Sequence, residues 1–312
     1  MSVNLAEVHK QRRSSRKLFQ NDIALYIMLI FPIFIVIVFR YIPIAGAVIA
    51  FKDYDFMKGI WGSDFAGLKW FERFLSNRKF ISIFWNTLSL SVNSLIFSFP
   101  WPIILAISLN EVTSQKFKRT IQTFSYLPYF ISTVVVVGML HQILSPTTGV
   151  INNIITFFGG EPINFLTQSN WFKPIYITSG IWSSVGYSSI IYLSALTSIN
   201  PELYEAAVID GAGRWSRIYH ITLPGILPVI VILLLMNLGS LINVGYEKAF
   251  LMQNSLNLSA SEIIGTYVYK QGLLDLKYSY STAVGLFQSA LNLILITVAN
   301  SISRKVADIS LW

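Results

Sequence analysis

Residues 201–228 read PELYEAAVIDGAGRWSRIYHITLPGILP, and here charge, small residues and helix punctuation crowd together between two long apolar runs. Asn200 has the chemistry of an N-cap, Pro201 that of a first helical residue and Glu202 that of a first-turn acid, so a short helix is expected to begin there. Gly211 and Gly213 offer it an end. A helix of about ten residues is marginal alone in water, so it must dock on the rest of the chain or on a partner. The apolar runs on either side say what kind of chain supplies that setting.

Of the 312 residues, 54% are hydrophobic and only 12% are charged, with a mean hydropathy of +0.58. Soluble domains carry about 25% charged residues and distribute their apolar positions periodically, whereas this chain gathers them in long blocks. The composition is that of an integral membrane protein. The net charge of +8 does not imply nucleic acid, because the Lys and Arg residues lie mainly in tails and loops beside apolar blocks, where membrane lipid and topology account for them. The absence of cysteine excludes disulfides, thiolate metal sites and a Cys nucleophile, and His9, His141 and His220 are too scattered for a metal centre. The basic stretch from Lys10 to Lys17 precedes a block too long for a signal-peptide core, so residues 1–20 are expected to be a cytoplasmic basic tail.

Residues 21–312 are expected to form one six-span domain, with spans near 23–50, 83–109, 121–144, 171–196, 221–244 and 283–302. Pro32, Arg40 and Pro43 interrupt the first block, and Pro100 and Pro102 the second. Residues 145–170 read as an outer loop with a short helix near 150–158, and residues 245–282 as the last outer loop. The short basic turn at 110–120 and the basic tail place both termini, and the 200–224 segment, in the cytoplasm.

No P-loop, HExxH or GxSxG motif occurs, so no catalytic residue is expected. Acids inside the spans are nearly absent, which removes the ion relay on which secondary transporters depend and disfavours a channel or secondary-transporter reading. A membrane protein that only docks a partner remains the other alternative. An energy input must come from outside the chain, and the 200–224 segment is the place for it.

The run Glu205-Ala206-Ala207, three residues, Gly211, nine residues, Ile221, one residue, Leu223-Pro224 resembles the EAA loop of ABC importer permeases without a gap. Residues 41–52 (YIPIAGAVIAFK), 109–127 (LNEVTSQKFKRTIQTFSYL), 161–166 (EPINFL), 243–248 (NVGYEK) and 278–287 (YSYSTAVGLF) resemble the six-span carbohydrate permeases of that family. One departure is Ile218, where many family loops place an aromatic, with Tyr219 beside it. The resemblance implies an all-α type I importer permease of the bacterial plasma membrane, paired with a second homologous permease. Two ABC ATPase subunits would hold ATP and Mg, an extracellular sugar-binding lipoprotein would deliver carbohydrate, and this chain would bind no cofactor itself.

On that resemblance Tyr204, Glu205, Ala206, Ala207, Asp210, Gly211, Ala212, Arg214, Leu223 and Pro224 form the ATPase-coupling set. Small Ala206 and Ala207 permit close approach, Tyr204 supplies contact area, Glu205 and Asp210 can meet basic groups, and Leu223-Pro224 is expected to restart a helix into the membrane. For a sugar path the chemistry asks for hydroxyl-matching polar groups beside aromatic faces. Trp182, Ser183, Tyr187, Asn237, Ser240, Asn243, Gln288 and Asn292 are the candidates, with Asn86 and Asn93 weaker. Asn237, Ser240 and Asn243 are spaced by three, which predicts one helix face.

Overall fold

A computed structural model of the chain describes residues 23–307 and 309–311. The basic tail expected over residues 1–20 lies outside the described residues. The fold is predominantly helical and divides after Gly67 into two compact units.

In the first unit, α1 (Ile23–Val36) runs on through a π turn at Ile37–Tyr41 and a 3-10 stretch at Ala45–Phe51. Pro32 lies inside α1, and the π turn falls just before Pro43, whose missing N–H removes one donor from an α ladder and which a wider turn accommodates. Behind it, β1 (Lys52–Asp53) pairs antiparallel with β2 (Asp64–Phe65).

The second unit contains α2 (Lys69–Leu75), α3 (Phe80–Ser98), α4 (Pro100–Asn110), α5 (Gln115–Tyr126), α6 (Thr133–Ile143) and α7 (Val150–Phe157). Then follow α8 (Ser169–Thr197), α9 (Pro201–Ile209), α10 (Leu223–Gly239), α11 (Tyr246–Met252), α12 (Ile264–Tyr269) and α13 (Tyr278–Ala307). Four helical stretches among the described residues are long and apolar enough to cross a membrane: Leu25–Phe51, Phe80–Asn110, Arg214–Gly239 and Tyr278–Lys305. They fall on the first, second, fifth and sixth expected spans.

The expected third span is not one helix. After α5 the chain tightens into a 3-10 turn at Leu127–Phe130, and α6 departs at 101°. Pro128 removes a donor from the ladder, and Ser132 caps a new helix by accepting from Val135 N at 3.4 Å. The expected fourth span is α8, whose 29 residues reach about 43 Å, enough for a bilayer. Its many hydroxyls and Lys173 make it less apolar than the other four.

Residues 245–282 are also not the outer loop expected. They are short helices packed into the unit, with Ala249, Met252, Ile263 and Ile264 buried. Each apolar piece is too short for a period to show, and the polar breaks between them are satisfied internally. Asn257 Nδ2 donates to Leu166 O and Met252 O, both at 2.9 Å, and Asn254 Nδ2 donates to Leu166 O at 2.7 Å. Such pairing is what allows irregular backbone inside an apolar setting.

Helix α8 is the hub of this unit, contributing Phe172, Ile175, Tyr176 and Ile177 to one core cluster and Tyr192 and Leu196, with Ala106 and Ile226, to another. Gly186 lets its backbone meet the end of α5, where a Cβ would overlap the Ser125 carbonyl.

Candidate functional site

The segment after α8 folds as its punctuation predicts. Asn200 Oδ1 accepts from Glu202 N at 3.0 Å and Pro201 opens α9. At the other end Gly211 N–H donates to Val208 O at 3.0 Å and Ala212 N–H to Ala207 O at 2.8 Å, the paired bonds of a Schellman ending. That ending needs a left-handed residue, and Gly211 has φ +77°.

Helix α9 has two faces. Tyr204 and Ala207 are half-buried, and the Tyr204 hydroxyl lies 3.1 Å from Oγ1 of Thr222, which is fully buried. Glu205, Ala206, Asp210 and Gly211 are exposed, as are Leu203 and Ile209. Ile209 is 85% exposed, and nearby Trp215 and Tyr219 are 81% and 70% exposed, while Ile218 beside Tyr219 is buried. Arg214 Nε bonds Glu111 Oε2 at 2.9 Å, which ties the segment to the turn after α4.

Leu223-Pro224 does not restart a helix. The helical path is continuous over Arg214–Gly239, and a π turn at Ile218–Thr222 precedes Pro224. The wider turn accommodates the proline ring and its missing donor without a break. Leu223 is half-buried and Pro224 exposed at this point, and Ala212 is half-buried in the turn before it.

A cavity of about 440 Å³ with serine, asparagine and tyrosine side chains among its apolar wall residues lies between α3, α4, α8 and the end of α10. Helix α10 stops at Gly239, so Asn237, Ser240 and Asn243 do not share a helix face. A turn, closed by Asn243 N–H to Ser240 O at 2.9 Å, brings all three to the cavity wall instead. Tyr187 also lines the cavity and stacks on Tyr129 at 3.9 Å between centroids. Trp182 and Ser183 fall outside the lining, and the Ser183 hydroxyl donates to Gly180 O in its own helix at 3.0 Å. Gln288 supports the wall from α13, its Nε2 donating to Ile242 O at 2.9 Å and to Asn243 Oδ1 at 2.8 Å. Asn292 is buried, and its Oδ1 accepts from Ile242 N at 3.0 Å, which satisfies a backbone donor released where α10 ends. Asn86 likewise holds the backbone of the 245–282 segment, donating to Ser259 O at 2.7 Å, and Asn93 bonds Ser89.

Residues 98–308 match the family described as binding-protein-dependent transport system inner membrane component. The chain belongs to this family. Protein LplB of Bacillus subtilis (strain 168) is 45% identical over 286 residues, 92% of this chain and 90% of the relative. The polygalacturonan/rhamnogalacturonan transport system permease protein YteP of the same organism is 45% identical over 299 residues, covering 96% and 93%. The permease also resembles, with TM-score 0.85 and 41% identity over 94% of this chain and 99% of the other, a bacterial ABC transporter involved in the import of the acidic polysaccharide alginate. A second structure, of bacterial alginate ABC transporter in complex with alginate pentasaccharide-bound periplasmic protein, superimposes with TM-score 0.86 at 41% identity, covering 95% and 99%.

The serines of the second apolar block are legible by residue type as groups that either bond helix to helix or line a wet path, and three of them, Ser91, Ser94 and Ser98, lie in the cavity wall on α3, where the buried Ser94 hydroxyl has no hydrogen-bond partner among the described residues. Their spacing of three and four is the signal that places them on one face. Tyr176, Thr222 and Glu111 carry no such signal, because their roles depend on elements far apart in sequence.

Proposed function

We propose that the chain is the membrane permease subunit of an ATP-driven importer for an oligosaccharide or polysaccharide fragment delivered by an extracellular binding protein. The observation that carries this reading is a capped surface helix with an outward apolar face, joined through one continuous helix to a hydroxyl-lined cavity. Leu203, Ala206 and Ile209 on α9, with Trp215 and Tyr219, form a docking face with the area and chemistry of a hot spot, and Glu205 and Asp210 supply charge at its rim. An ABC ATPase that binds ATP and Mg is its partner, and this chain performs no catalysis. The cavity offers serine hydroxyls, amides and tyrosine faces, which suit a polyhydroxylated cargo. The names of the relatives support the carbohydrate class.

In this reading α8 and the bent α5–α6 pair complete six spans in the bacterial plasma membrane, with both termini and α9 cytoplasmic. A second, homologous permease forms the other half of the pathway. ATP-driven closure of the two ATPases moves α9, and the pathway opens outward to receive sugar from the binding protein. The test is purification of the tagged chain from its native membrane. Companion permease and ATPase should co-purify, and sugar-loaded binding protein should raise the ATPase rate. A chain that brings down no ATPase is not an importer permease.

A further inference from the structure

The helices that line the cavity, α3, α4, α8 and α10, contain no Asp or Glu. Yet two half-buried lysines stand on the face of α8 that leads to it. Lys173 Nζ donates to Ser89 Oγ on α3 at 2.9 Å. Lys248 Nζ, reaching from α11, donates to Tyr176 O at 2.7 Å and lies 4.6 Å from the centroid of the Tyr176 ring, itself a wall residue of the cavity. A Cβ at Gly180 would sit 3.4 Å from the same amine. Residues 173, 176 and 180 recur at helical spacing, so both amines meet one face of α8 within about 10 Å along its axis. The same face continues through Ser184 and Tyr187 into the cavity.

Neither amine has a carboxylate within 4.0 Å among the described residues, and each has only a neutral oxygen as hydrogen-bond partner. Other charged side chains in this unit do find partners, as Lys270 does in Glu262 at 2.9 Å. A buried cation without a counter-charge is costly in an apolar setting, and it persists where function supplies the missing charge. We propose that Lys173 and Lys248 form an anionic subsite at the end of the cavity remote from α9, and that the cargo is an acidic oligosaccharide whose uronate carboxylate they bind. Burial holds the Lys248 amine down at about 8, and a carboxylate beside it restores the charged form. The positive field of the pair also draws an acidic glycan toward the hydroxyl-lined wall, on helices α3, α4, α8 and α10 that carry no acid to oppose it.

This inference rests on the carbohydrate-importer reading, and its test separates the two. The assembled transporter in nucleotide-free detergent micelles is titrated with trigalacturonate and with its fully methyl-esterified, neutral form. The wild type should bind the acid more tightly, and added salt should weaken the acid but not the ester. Lys173→Gln with Lys248→Gln should cut binding of the acid roughly tenfold or more and leave the ester within about twofold, and Lys248→Arg should retain the preference. Equal affinity of the wild type for acid and ester, or equal loss of both in the double variant, overturns the anionic subsite and leaves the importer reading standing. Loss of the companion permease from the double variant, with the wild-type acid preference insensitive to salt, shows that the lysines serve assembly and also overturns it. Binding of neither saccharide by the wild type sinks the carbohydrate reading together with the subsite.

Discussion

Replacing Gly211 with alanine isolates the geometry of α9, the proposed coupling helix, from its contacts. A Cβ at this position has nothing within 4 Å, so the substitution removes no packing and creates no clash. What it meets is the backbone: φ is +77°, where an L-residue pays roughly 1–2 kcal/mol. The two Schellman bonds that hold this turn, from Gly211 N and Ala212 N, are each worth about 0.5–1.5 kcal/mol net, which is comparable to the strain. The strain shifts the equilibrium between this turn and its alternatives by a factor of about 5 to 30, which cancels what the two bonds supply and leaves about half of the molecules or fewer in the turn that sets the angle between α9 and Arg214–Gly239. Binding-protein-dependent sugar uptake in cells expressing Gly211→Ala should fall by about twofold or more, with the amount of permease in the membrane unchanged. Gly211→Asn should fall between wild type and alanine, because asparagine tolerates the left-handed region. Gly213 provides the control. It too has open space around its Cβ, but its φ of −68° and ψ of 169° suit any residue, so Gly213→Ser should transport as wild type does. Uptake by Gly211→Ala within twofold of wild type, or an equal loss in Gly213→Ser, would refute the argument.

Gly186→Ala should drive a methyl group into the Ser125 carbonyl and separate α8 from α5, costing about 1–3 kcal/mol, read as a lower melting midpoint of the purified complex. Gly285→Ala on α13, with open space around its Cβ, should leave that midpoint unchanged. Asn292→Leu should orphan the buried Ile242 N–H and destabilise by about 1–3 kcal/mol, whereas Asn237→Ala at the cavity wall should leave the midpoint in place and lower uptake. Glu111→Arg and Arg214→Glu should each reduce uptake slightly and recover it when combined, with a coupling energy below about 1 kcal/mol because Arg214 is 59% exposed.

What could be read in advance was what chemistry writes locally. Asn200, Pro201 and Gly211 each state a backbone requirement at one position, and the helix between them begins and ends where they say. Long apolar blocks likewise mark four membrane-length helices, since twenty consecutive apolar residues have few alternatives. The failures share a different cause. The course of residues 121–144 is hidden because hydropathy is blind to direction, and the 101° bend between the two helices is set by Pro128 and Ser132 acting on the backbone. Residues 245–282 look like a loop because their helices are short and their polar breaks are paid for by partners such as Leu166, about ninety residues away in sequence. Among the candidate cavity residues, Asn237 and Asn292 are the same amide in similar apolar surroundings. Only the end of α10 at Gly239, which releases the Ile242 donor, makes one a wall residue and the other a structural support.

That helix end also bears on how force on α9 reaches the cavity. The segment around α9 touches the base of the next helix at two places, through Tyr204 of α9 to Thr222 in the π turn and through Ile199, just before α9, which packs where a Cβ on Gly225 of α10 would fall. Both contacts lie within or just past the π turn, whose wider ladder leaves a local reserve of rotation. Beyond it the helix runs on to Gly239, so a tilt applied at its base is carried along a rod of about 26 Å for the 17 residues of Leu223–Gly239. Had α10 continued through residue 244, the rod would slide past the cavity as a smooth wall. Because it stops, the motion is delivered to the turn at 240–243, whose Ser240 and Asn243 face the cavity and whose next residues lead through Gly245 to Lys248. In the proposed importer reading, the helix break that the spacing of Asn237, Ser240 and Asn243 conceals is the point at which movement of a surface helix would become a change in the shape of the cavity.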